Sequence, residues 1–572
     1  MPRENARSCV VSIAALMAAL LSISVPADSA LAQAACPANP SNAVILPGYS
    51  ITAVACGLNF PTAMTFQGDT IWVTEEGTAT SAPAVKQIDN KGNVTTKLTA
   101  SDLATGTIVS PLTGIVFGRG WFWLIHRQTN SAGAPGVPVG VISRFKPNDP
   151  KGTFQTFIAG FPSFGDHPNS QIVFGDNGRA YINGAAPTNS SVVGPDNGWA
   201  PSTPTLHDFP GMDVELSGIG YQTLIASPLD SAGGTKAAKT TYPFVAFGAP
   251  LPSGNKVKAP TPANPIQGII AGGGTVYSFD PGADPKSAAS TMRLVAWGLR
   301  NPYGVGFDPF NPKLLFVSNN GADARQTCLA TPNGPPSALC PTGTTLVVRG
   351  SRPIANDRDD MFVVNIGEDR DADEDGDSQG KGGAGHVPFF FGHPDYFHDP
   401  ISRQPLPVTN PLFCPALLPL PKPPAPPPFV LATPCPQFAF SDRFRATLKV
   451  QPAFAEIEQD SSANMFDFSR TGAFGFKRDI FIAETGSLPP GTGATSLTGY
   501  KVARIDRKTG LVTDFVTHPT NTAAVIFVPN GFNKPIDVRF RGPEMFVVDF
   551  GVGAGAPMQI PNSGKIWKVA HQ

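Results

Sequence analysis

The chain has 572 residues, a formal net charge of -1 and 15% charged residues. It therefore has no excess of positive charge that would attract nucleic acid or an anionic membrane. Its 59 glycines and 61 prolines break helix interiors and favour turns, which argues against a fold built from long helices. Short runs rich in Phe, Val and Ile instead indicate β-strands. We therefore expect an all-β protein whose partner is small and not polyanionic.

Residues 1–32 have the order of a cleaved secretory signal peptide. Two arginines precede an apolar stretch from Val10 to Val25, and the small residues Ala30-Leu-Ala follow it. The mature chain is predicted to begin near Gln33 and to be periplasmic or secreted. No later apolar run approaches the roughly 20 residues of a membrane helix, so we expect no membrane span.

Six cysteines follow the predicted signal peptide, and in an oxidising compartment an even number indicates disulfides. Six cysteines allow 15 connectivities. The pairing with the shortest loops joins Cys36 to Cys56, Cys328 to Cys340 and Cys414 to Cys435. No CxxCH motif is present, so no c-type haem is expected.

One pattern occurs six times along the chain: an apolar run ending near Phe, a turn with Gly, Asp or Pro, and a second apolar run. The copies occupy residues 63–77, 114–125, 171–182, 303–321, 465–484 and 535–551. In the third copy, an Asp-Asn-Gly sequence at 176–178 is typical of a tight hairpin. Radial stacking of six such units predicts a six-bladed β-propeller, and the alternative is a β-sandwich with coincidental hairpins.

The copies are unevenly spaced, with insertions at about 186–300 and 320–465. Both are much longer than ordinary loops, and we expect them to lie on the faces of the propeller and to build or cover its site. The second contains a proline-rich stretch, 411–438, which predicts a polyproline II loop. Residues 33–572 are thus interpreted as one domain with long loop inserts.

The segment from Gly298 to Pro309, GLRNPYGVGFDP, resembles the signature of the glucose/sorbosone dehydrogenase family. Further similarity lies at 165–175, 498–505 and 534–540, with GKIWK near the C-terminus. The resemblance implies a six-bladed propeller that oxidises sugars with pyrroloquinoline quinone (PQQ) and Ca²⁺. It also implies a separate electron acceptor.

The resemblance assigns roles to individual residues. His167 corresponds to the base that takes a proton from the sugar's anomeric hydroxyl, a role that suits a neutral imidazole. Arg300 and Asn301 correspond to contacts of the quinone oxygens, where Arg300 would stabilise developing negative charge. The backbone carbonyls of Gly321 and Ala322 correspond to Ca²⁺ ligands. The alternatives are a loop histidine bonded to backbone and an arginine that staples adjacent blades.

Some positions depart from the family pattern. The carboxylate that orients the base is replaced by Ala186, and a quinone-binding lysine falls at Thr498, with Lys501 nearby. Two later arginines correspond to Lys534 and Ile536, and a lysine cannot reproduce the bidentate contacts of an arginine. The departures favour the sorbosone or pyranose dehydrogenase branch, or a member that no longer binds the quinone. Thr498, Lys501 and Lys534 remain the candidate cofactor contacts.

A second Ca²⁺ site is suggested by Asp371, Asp373 and Asp375, which have the alternating spacing of a calcium loop. The twelfth position of that loop is Gly382, where a bidentate Glu would be expected. A structural Ca²⁺ site and a solvated acidic loop both remain open interpretations.

Together the patterns predict an exported quinoprotein dehydrogenase that oxidises an aldose or a related hydroxy-carbonyl compound. Two alternatives belong to other functional classes. One is a propeller that binds a ligand without catalysis, and the other is a metal-dependent propeller lactonase or hydrolase.

Overall fold

The computed structural model describes residues 36–572, which form one compact unit. The residues outside the description within this range are 37–38, 41, 79–80, 130–136, 195, 201, 224–238, 253–263, 331–343, 349, 368–387, 415–434, 488–496, 520–527, 529 and 553–559. Within the described ranges, no helix is long and apolar enough to cross a membrane. The predicted signal peptide lies outside the described residues.

Six sheets of mainly antiparallel strands form the blades of a β-propeller, which confirms the predicted fold class. Two N-terminal strands, β1 (Val44–Ile45) and β2 (Tyr49–Leu58), precede blade 1. Blade 1 contains β3 (Pro61–Gln67), β4 (Thr70–Glu75), β5 (Ala84–Ile88) and β6 (Val94–Thr99). Blade 2 contains β7 (Val109–Gly118), β8 (Trp121–Gln128), β9 (Val139–Phe145) and β10 (Gln155–Phe161).

Blade 3 begins with β11 (Ile172–Phe174) and β12 (Ala180–Gly184), and a long excursion separates them from its outer strands. The excursion pairs β13 (Val214–Leu216) with β16 (Asn264–Ile266), and β14 (Tyr221–Thr223) with β15 (Lys239–Thr241). The outer strands are β17 (Thr275–Phe279) and β18 (Arg293–Trp297). The insertion expected at 186–300 therefore includes half of blade 3.

Blade 4 contains β19 (Asn301–Asp308), β20 (Asn311–Asn320), β23 (Asp360–Asn365) and β27 (Ala455–Glu456). Its excursions form the hairpins β21 (Gln326–Ala330) with β22 (Thr344–Val348) and β25 (Tyr396–His398) with β26 (Pro405–Pro407). They also contain β24 (Phe389–Phe390), which pairs in parallel with β18. The insertion expected at 320–465 thus adds a fifth strand to blade 3.

Blade 5 contains β28 (Ala463–Phe468), β29 (Ile480–Glu484), β30 (Lys501–Ile505) and β31 (Val512–Thr517), with β1 added at its outer edge. Blade 6 contains β32 (Pro535–Arg541), β33 (Glu544–Asp549) and β34 (Gly564–His571). The described helical segments are short: the 3₁₀ turns Ala100–Asp102, Ala288–Thr291, Pro411–Phe413 and Gly472–Phe474, and the helix α1 (Asp442–Arg445).

The N-terminal strand β2 closes the ring by completing blade 6. It pairs antiparallel with β34 from Tyr49 opposite His571 to Leu58 opposite Gly564. This pairing covers what would otherwise be an exposed strand edge and joins the two ends of the chain.

All six repeat copies coincide with the two inner strands of a blade, as predicted. In the third copy, the turn places Gly178 at a φ of 86°, the left-handed region that glycine adopts without steric cost. Large aromatic rings fill the spaces between neighbouring blades. Trp72 of blade 1 packs on Phe122 of blade 2 with ring centroids 4.1 Å apart, and both side chains are buried.

Two predicted disulfides are confirmed. Cys36 is bonded to Cys56 and Cys414 to Cys435, with Cα–Cα distances of 5.5 and 4.6 Å. Cys340 of the third predicted pair lies outside the described residues, as does most of the proline-rich loop.

Candidate functional site

Most of the residues singled out in the sequence lie on one face of the propeller. In an antiparallel pair, the start of the inner strand lies opposite the end of the second strand. Asn301 pairs with Asn320 in blade 4, and Pro535 pairs with Asp549 in blade 6. His167 precedes the inner strand of blade 3 in the same way. These residues therefore meet at one end of the inner strands.

His167 is buried and held by a backbone carbonyl. Its Nδ1 donates a hydrogen bond to the carbonyl oxygen of Ala186 at 2.6 Å, which leaves Nε2 as the acceptor nitrogen. No described group bonds to Nε2. The pKa of His167 lies well below its usual range because of burial and then the positive charges of Arg300 and Arg325, with His393 contributing last. The imidazole is thus neutral and can accept a proton.

Arg300 is fixed by groups from two different excursions. Its Nη2 donates to Asn189 Oδ1 at 2.7 Å and pairs with Asp323 Oδ2 at 2.9 Å. The same Asn189 accepts from the backbone N–H of Asp323 and donates to its carbonyl oxygen. The backbone carbonyl of Arg300 accepts from the N–H of Ala186 at 3.2 Å, so this arginine and the histidine loop are directly linked.

A second arginine joins the same network. Arg325 lies between two carboxylates, with Nη2 at 3.0 Å from Asp166 Oδ2 and Nε at 3.1 Å from Asp323 Oδ2. Asp166 also accepts from Trp199 Nε1 at 2.8 Å. Because Asp166 directly precedes His167 in the chain, the ion pair with Arg325 links the loop that contains His167 to the segment that follows β20 of blade 4.

Backbone and amide groups beside Arg300 have unused bonding capacity. The N–H groups of Gly321 and Ala322 donate to buried carboxylates, but no described donor bonds to their carbonyl oxygens. Arg300 Nε, Asn301 Oδ1 and Asn320 Oδ1 are buried and lack hydrogen-bond partners among the described residues. Buried polar atoms are rarely left unsatisfied, so these atoms indicate a place for a polar ligand or water.

The two candidate lysines have different surroundings. Lys501 Nζ lies among three carboxylates, at 2.9 Å from Glu458, 2.8 Å from Asp514 and 3.8 Å from Glu484. Lys534 is 8% exposed, and no described residue forms an ion pair with it. Burial lowers the pKa of Lys534 to about 8, and attraction to nearby carboxylates opposes this only in part.

The remaining candidates contribute little charge to the face. Thr498 Oγ1 donates to the carbonyl oxygen of Asp460 at 3.1 Å. Ile536 is buried in the hydrophobic core that blade 6 shares with blade 1. Asp371, Asp373 and Asp375 lie outside the described residues. Elsewhere, the described residues contain no group of three or more His, Cys, Asp or Glu side chains that could hold a metal ion.

Sequence reasoning missed several residues of this site. Asp166 lies inside the segment 165–175 that the resemblance covers, and Asp323 directly follows Ala322, so their positions beside candidate residues are a signal. His393, whose Nε2 lies 3.1 Å from Ser191 Oγ, and Asn189 come from the long excursions. No repeat or motif marks those two, so only the folded chain reveals them.

Comparisons with known proteins show which solved structures share this fold. No protein-family model matches the sequence, and no curated protein matches it. Among solved structures, the holo form of the PQQ domain of pyranose dehydrogenase from Coprinopsis cinerea is similar, with a TM-score of 0.50 and 12% identity over 94% of this chain and 99% of that chain. At this identity, the likeness shows the fold alone, and the resemblance stated from the sequence is confirmed at that level.

Two further structures match with lower scores. A Trichoderma reesei protein of carbohydrate-active enzyme family AA12 has a TM-score of 0.47 and 14% identity over 94% of this chain and 99% of that chain. A putative oxidoreductase (glucose dehydrogenase) from Thermus thermophilus has a TM-score of 0.42 and 12% identity over 91% of this chain and 99% of that chain.

Proposed function

We propose that this protein is an exported quinoprotein dehydrogenase that oxidises an aldose or a related hydroxy-carbonyl compound with PQQ and Ca²⁺. Electrons then pass to a separate acceptor. The observation that carries the proposal is the neutral, buried His167, whose Nε2 bonds to no described group and whose loop is linked by one backbone hydrogen bond to Arg300. The propeller fold shared with the PQQ domain of pyranose dehydrogenase supports it.

The described groups around Arg300 fit an oxygen-rich anionic cofactor. Arg300 and Asn301 offer donors, and Arg300 Nε has no partner within the described part of the chain. These two residues and Lys534 would hold PQQ, whereas the backbone carbonyl oxygens of Gly321 and Ala322 would hold Ca²⁺, a cation that prefers oxygen ligands. When bound, PQQ supplies a two-electron acceptor for the substrate's hydride.

The protein's own residues would control the proton. His167 Nε2 accepts the proton of the substrate hydroxyl, and the hydrogen bond from Nδ1–H to the carbonyl of Ala186 holds the ring in the required tautomer. The guanidinium of Arg300, fixed by Asn189 and Asp323, presents a positive charge where negative charge develops. Fixed groups of this kind need no reorganisation during the reaction.

Export is part of the proposal. The signal-like sequence at 1–32 and the two disulfides support an oxidising compartment. The roles of Thr498, Lys501 and the acidic loop at 371–377 stay predictions, as does the third disulfide.

Reconstitution tests the proposed function. The chain from residue 33 is purified, loaded with PQQ and CaCl₂, and assayed for dye reduction with a panel of aldoses and simple alcohols. PQQ binding is followed separately by tryptophan fluorescence. We expect saturable PQQ binding and sugar-dependent dye reduction. A protein that binds a sugar but neither binds PQQ nor reduces dye would instead be a non-catalytic binding propeller, and hydrolysis of a lactone without PQQ would identify the hydrolase alternative.

A further inference from the structure

Lys534 presents a buried ammonium group that has no direct partner among the described residues. It directly precedes β32, and its backbone N–H donates to Asp549 Oδ1 at 2.9 Å. The Nζ atom lies 5.8 Å from the centroid of the Phe550 ring and forms no hydrogen bond or ion pair with a described residue. The carboxylate of Asp549 is occupied by other donors: the backbone N–H groups of Asn533, Lys534 and Gly551 and the indole N–H of Trp567.

Arg127 brings a second cation to the same face from blade 2. It lies at the end of β8, opposite Val109 at the start of the inner strand. Its Nε donates to the carbonyl oxygen of Ser163 at 2.5 Å, and its guanidinium carbon lies 5.3 Å from the centroid of the Phe164 ring. These contacts fix the side chain, yet the two terminal nitrogens bond to no described group.

Glu76 of blade 1 lies within electrostatic range of both cations. Its backbone N–H donates to Phe60, whose ring packs 5.2 Å from that of Phe550 beside Lys534. Burial raises the pKa of Glu76 to about 7, although Lys534 and Arg127 both act to lower it. Its carboxylate forms no hydrogen bond or salt bridge with either cation within the described residues. Glu76 therefore lies close enough to both cations for their charges to act on it, without a direct bond to either among the described residues.

The charges of this group are unbalanced. Two cations act on Glu76, which is partly protonated near neutral pH, and the second anion that acts on Lys534, Asp549, already accepts four other hydrogen bonds. A buried charge without a counterion is costly, and proteins satisfy such groups with a partner or a ligand. By contrast, Lys501 and Arg300 on the same face are already paired with carboxylates.

We propose that Arg127 and Lys534 together bind a carboxylate group of a ligand on the candidate face. The planar guanidinium of Arg127 offers the two parallel donors that neither Lys534 nor Ile536 can provide. An arginine from blade 2 therefore takes the place of the second arginine that the family pattern has at position 536. The identity of the ligand rests on the proposed function: the carboxylate belongs to PQQ or, alternatively, to an acidic sugar.

Calorimetric titration of the full mature chain with PQQ plus CaCl₂, and separately with D-glucuronate, tests the pair without depending on turnover. The variants Arg127→Gln and Lys534→Gln should each lower the affinity for whichever of the two carboxylate ligands the wild type binds. The expected decrease is about tenfold to hundredfold, the usual effect of losing a hydrogen bond to a charged group. Arg127→Lys should recover only part of the loss. Glu76→Gln should strengthen binding at pH 8, since it removes a competing negative charge. Lys91→Gln, at an exposed turn, is the matched control.

The outcomes separate this inference from the proposed function. If folded Arg127→Gln and Lys534→Gln proteins bind as tightly as the wild type, or if neither carboxylate binds the wild type, the pair is rejected. Binding of PQQ with dye reduction but without any effect of the two variants rejects the pair and leaves the function standing. Binding of D-glucuronate alone, weakened by both variants, supports the pair and rejects the quinone.

Discussion

The Nδ1 atom of His167 lies 2.6 Å from the carbonyl oxygen of Ala186. The family pattern predicts a carboxylate side chain at position 186, whereas here the main-chain carbonyl oxygen of Ala186 accepts the hydrogen bond from the imidazole. The carbonyl fixes the tautomer as a carboxylate would, but it adds no negative charge that would raise the pKa of the imidazole. The histidine therefore stays neutral at lower pH than a carboxylate-paired histidine would.

This contact leads to a prediction about pH. The pKa of His167 is lowered by burial, then by Arg300 and Arg325. We expect kcat/KM to remain constant as pH falls through 6.5 and to decline only at lower pH, where the imidazole becomes protonated. In Arg325→Gln, the decline should move to higher pH because one repelling charge is gone. His167→Gln should lower kcat by roughly a hundredfold to ten-thousandfold.

The control for this series is His571→Gln, which changes an exposed histidine at the end of β34. It should leave the pH profile unchanged. An identical acid limb in the wild type and Arg325→Gln would show that this arginine does not act on the base.

Asp323 is expected to be central to stability. It is the shared carboxylate of Arg300 and Arg325, and its side chain is only 11% exposed. Asp323→Asn leaves two largely buried guanidinium groups with one anion fewer, so we predict a loss of about 3–5 kcal/mol in the free energy of unfolding. Urea denaturation measures it. Asp442→Asn breaks an ion pair whose carboxylate is 97% exposed and should change little. A similar effect of both variants would contradict the prediction.

The raised pKa of Glu456 predicts that the stability of the protein depends on pH. It lies directly opposite Asp360 across β23 and β27, and burial, then repulsion from Asp360, raise its pKa to about 10. The unfolded carboxyl ionises near 4.5, so the folded state holds an extra proton between the two values. Stability should therefore fall as pH rises from about 5 towards 10. Glu456→Gln, which stays neutral, should flatten this slope in thermal melts, whereas an unchanged slope would assign it to other groups.

The ring closure is expected to depend on the first disulfide. Cys36 and Cys56 close a loop with a sequence separation of 20, and Cys56 lies in β2, the strand that completes blade 6. The double variant Cys36→Ser, Cys56→Ser should lose about 3 kcal/mol of unfolding free energy because the unfolded chain regains freedom. The wild type treated with a reductant should lose at least this much, because the reductant also opens the Cys414–Cys435 bond. Equal stability of oxidised and reduced protein would show that the β2–β34 pairing alone holds the ring.

The sequence predicted the fold because the fold is made of local units. Each blade begins with two strands joined by a short turn, and the alternation of apolar residues and the Gly or Asp at the turn lie within about twenty residues. Outer strands such as β24, which joins blade 3 from an excursion of blade 4, have no local pattern and were hidden inside the insertions.

The sequence by itself determined the six blades and two of the disulfides, because hairpin periodicity and short loops are local properties. His167 and Arg300 were singled out by the family resemblance, which also depends on short local motifs. Only the tertiary structure decided how those residues are held. The carbonyl of Ala186, the amide of Asn189 and the cations Arg127 and Lys534 come from separate blades and excursions. Their relation depends on distances between parts of the chain that are remote in sequence, which no local pattern records.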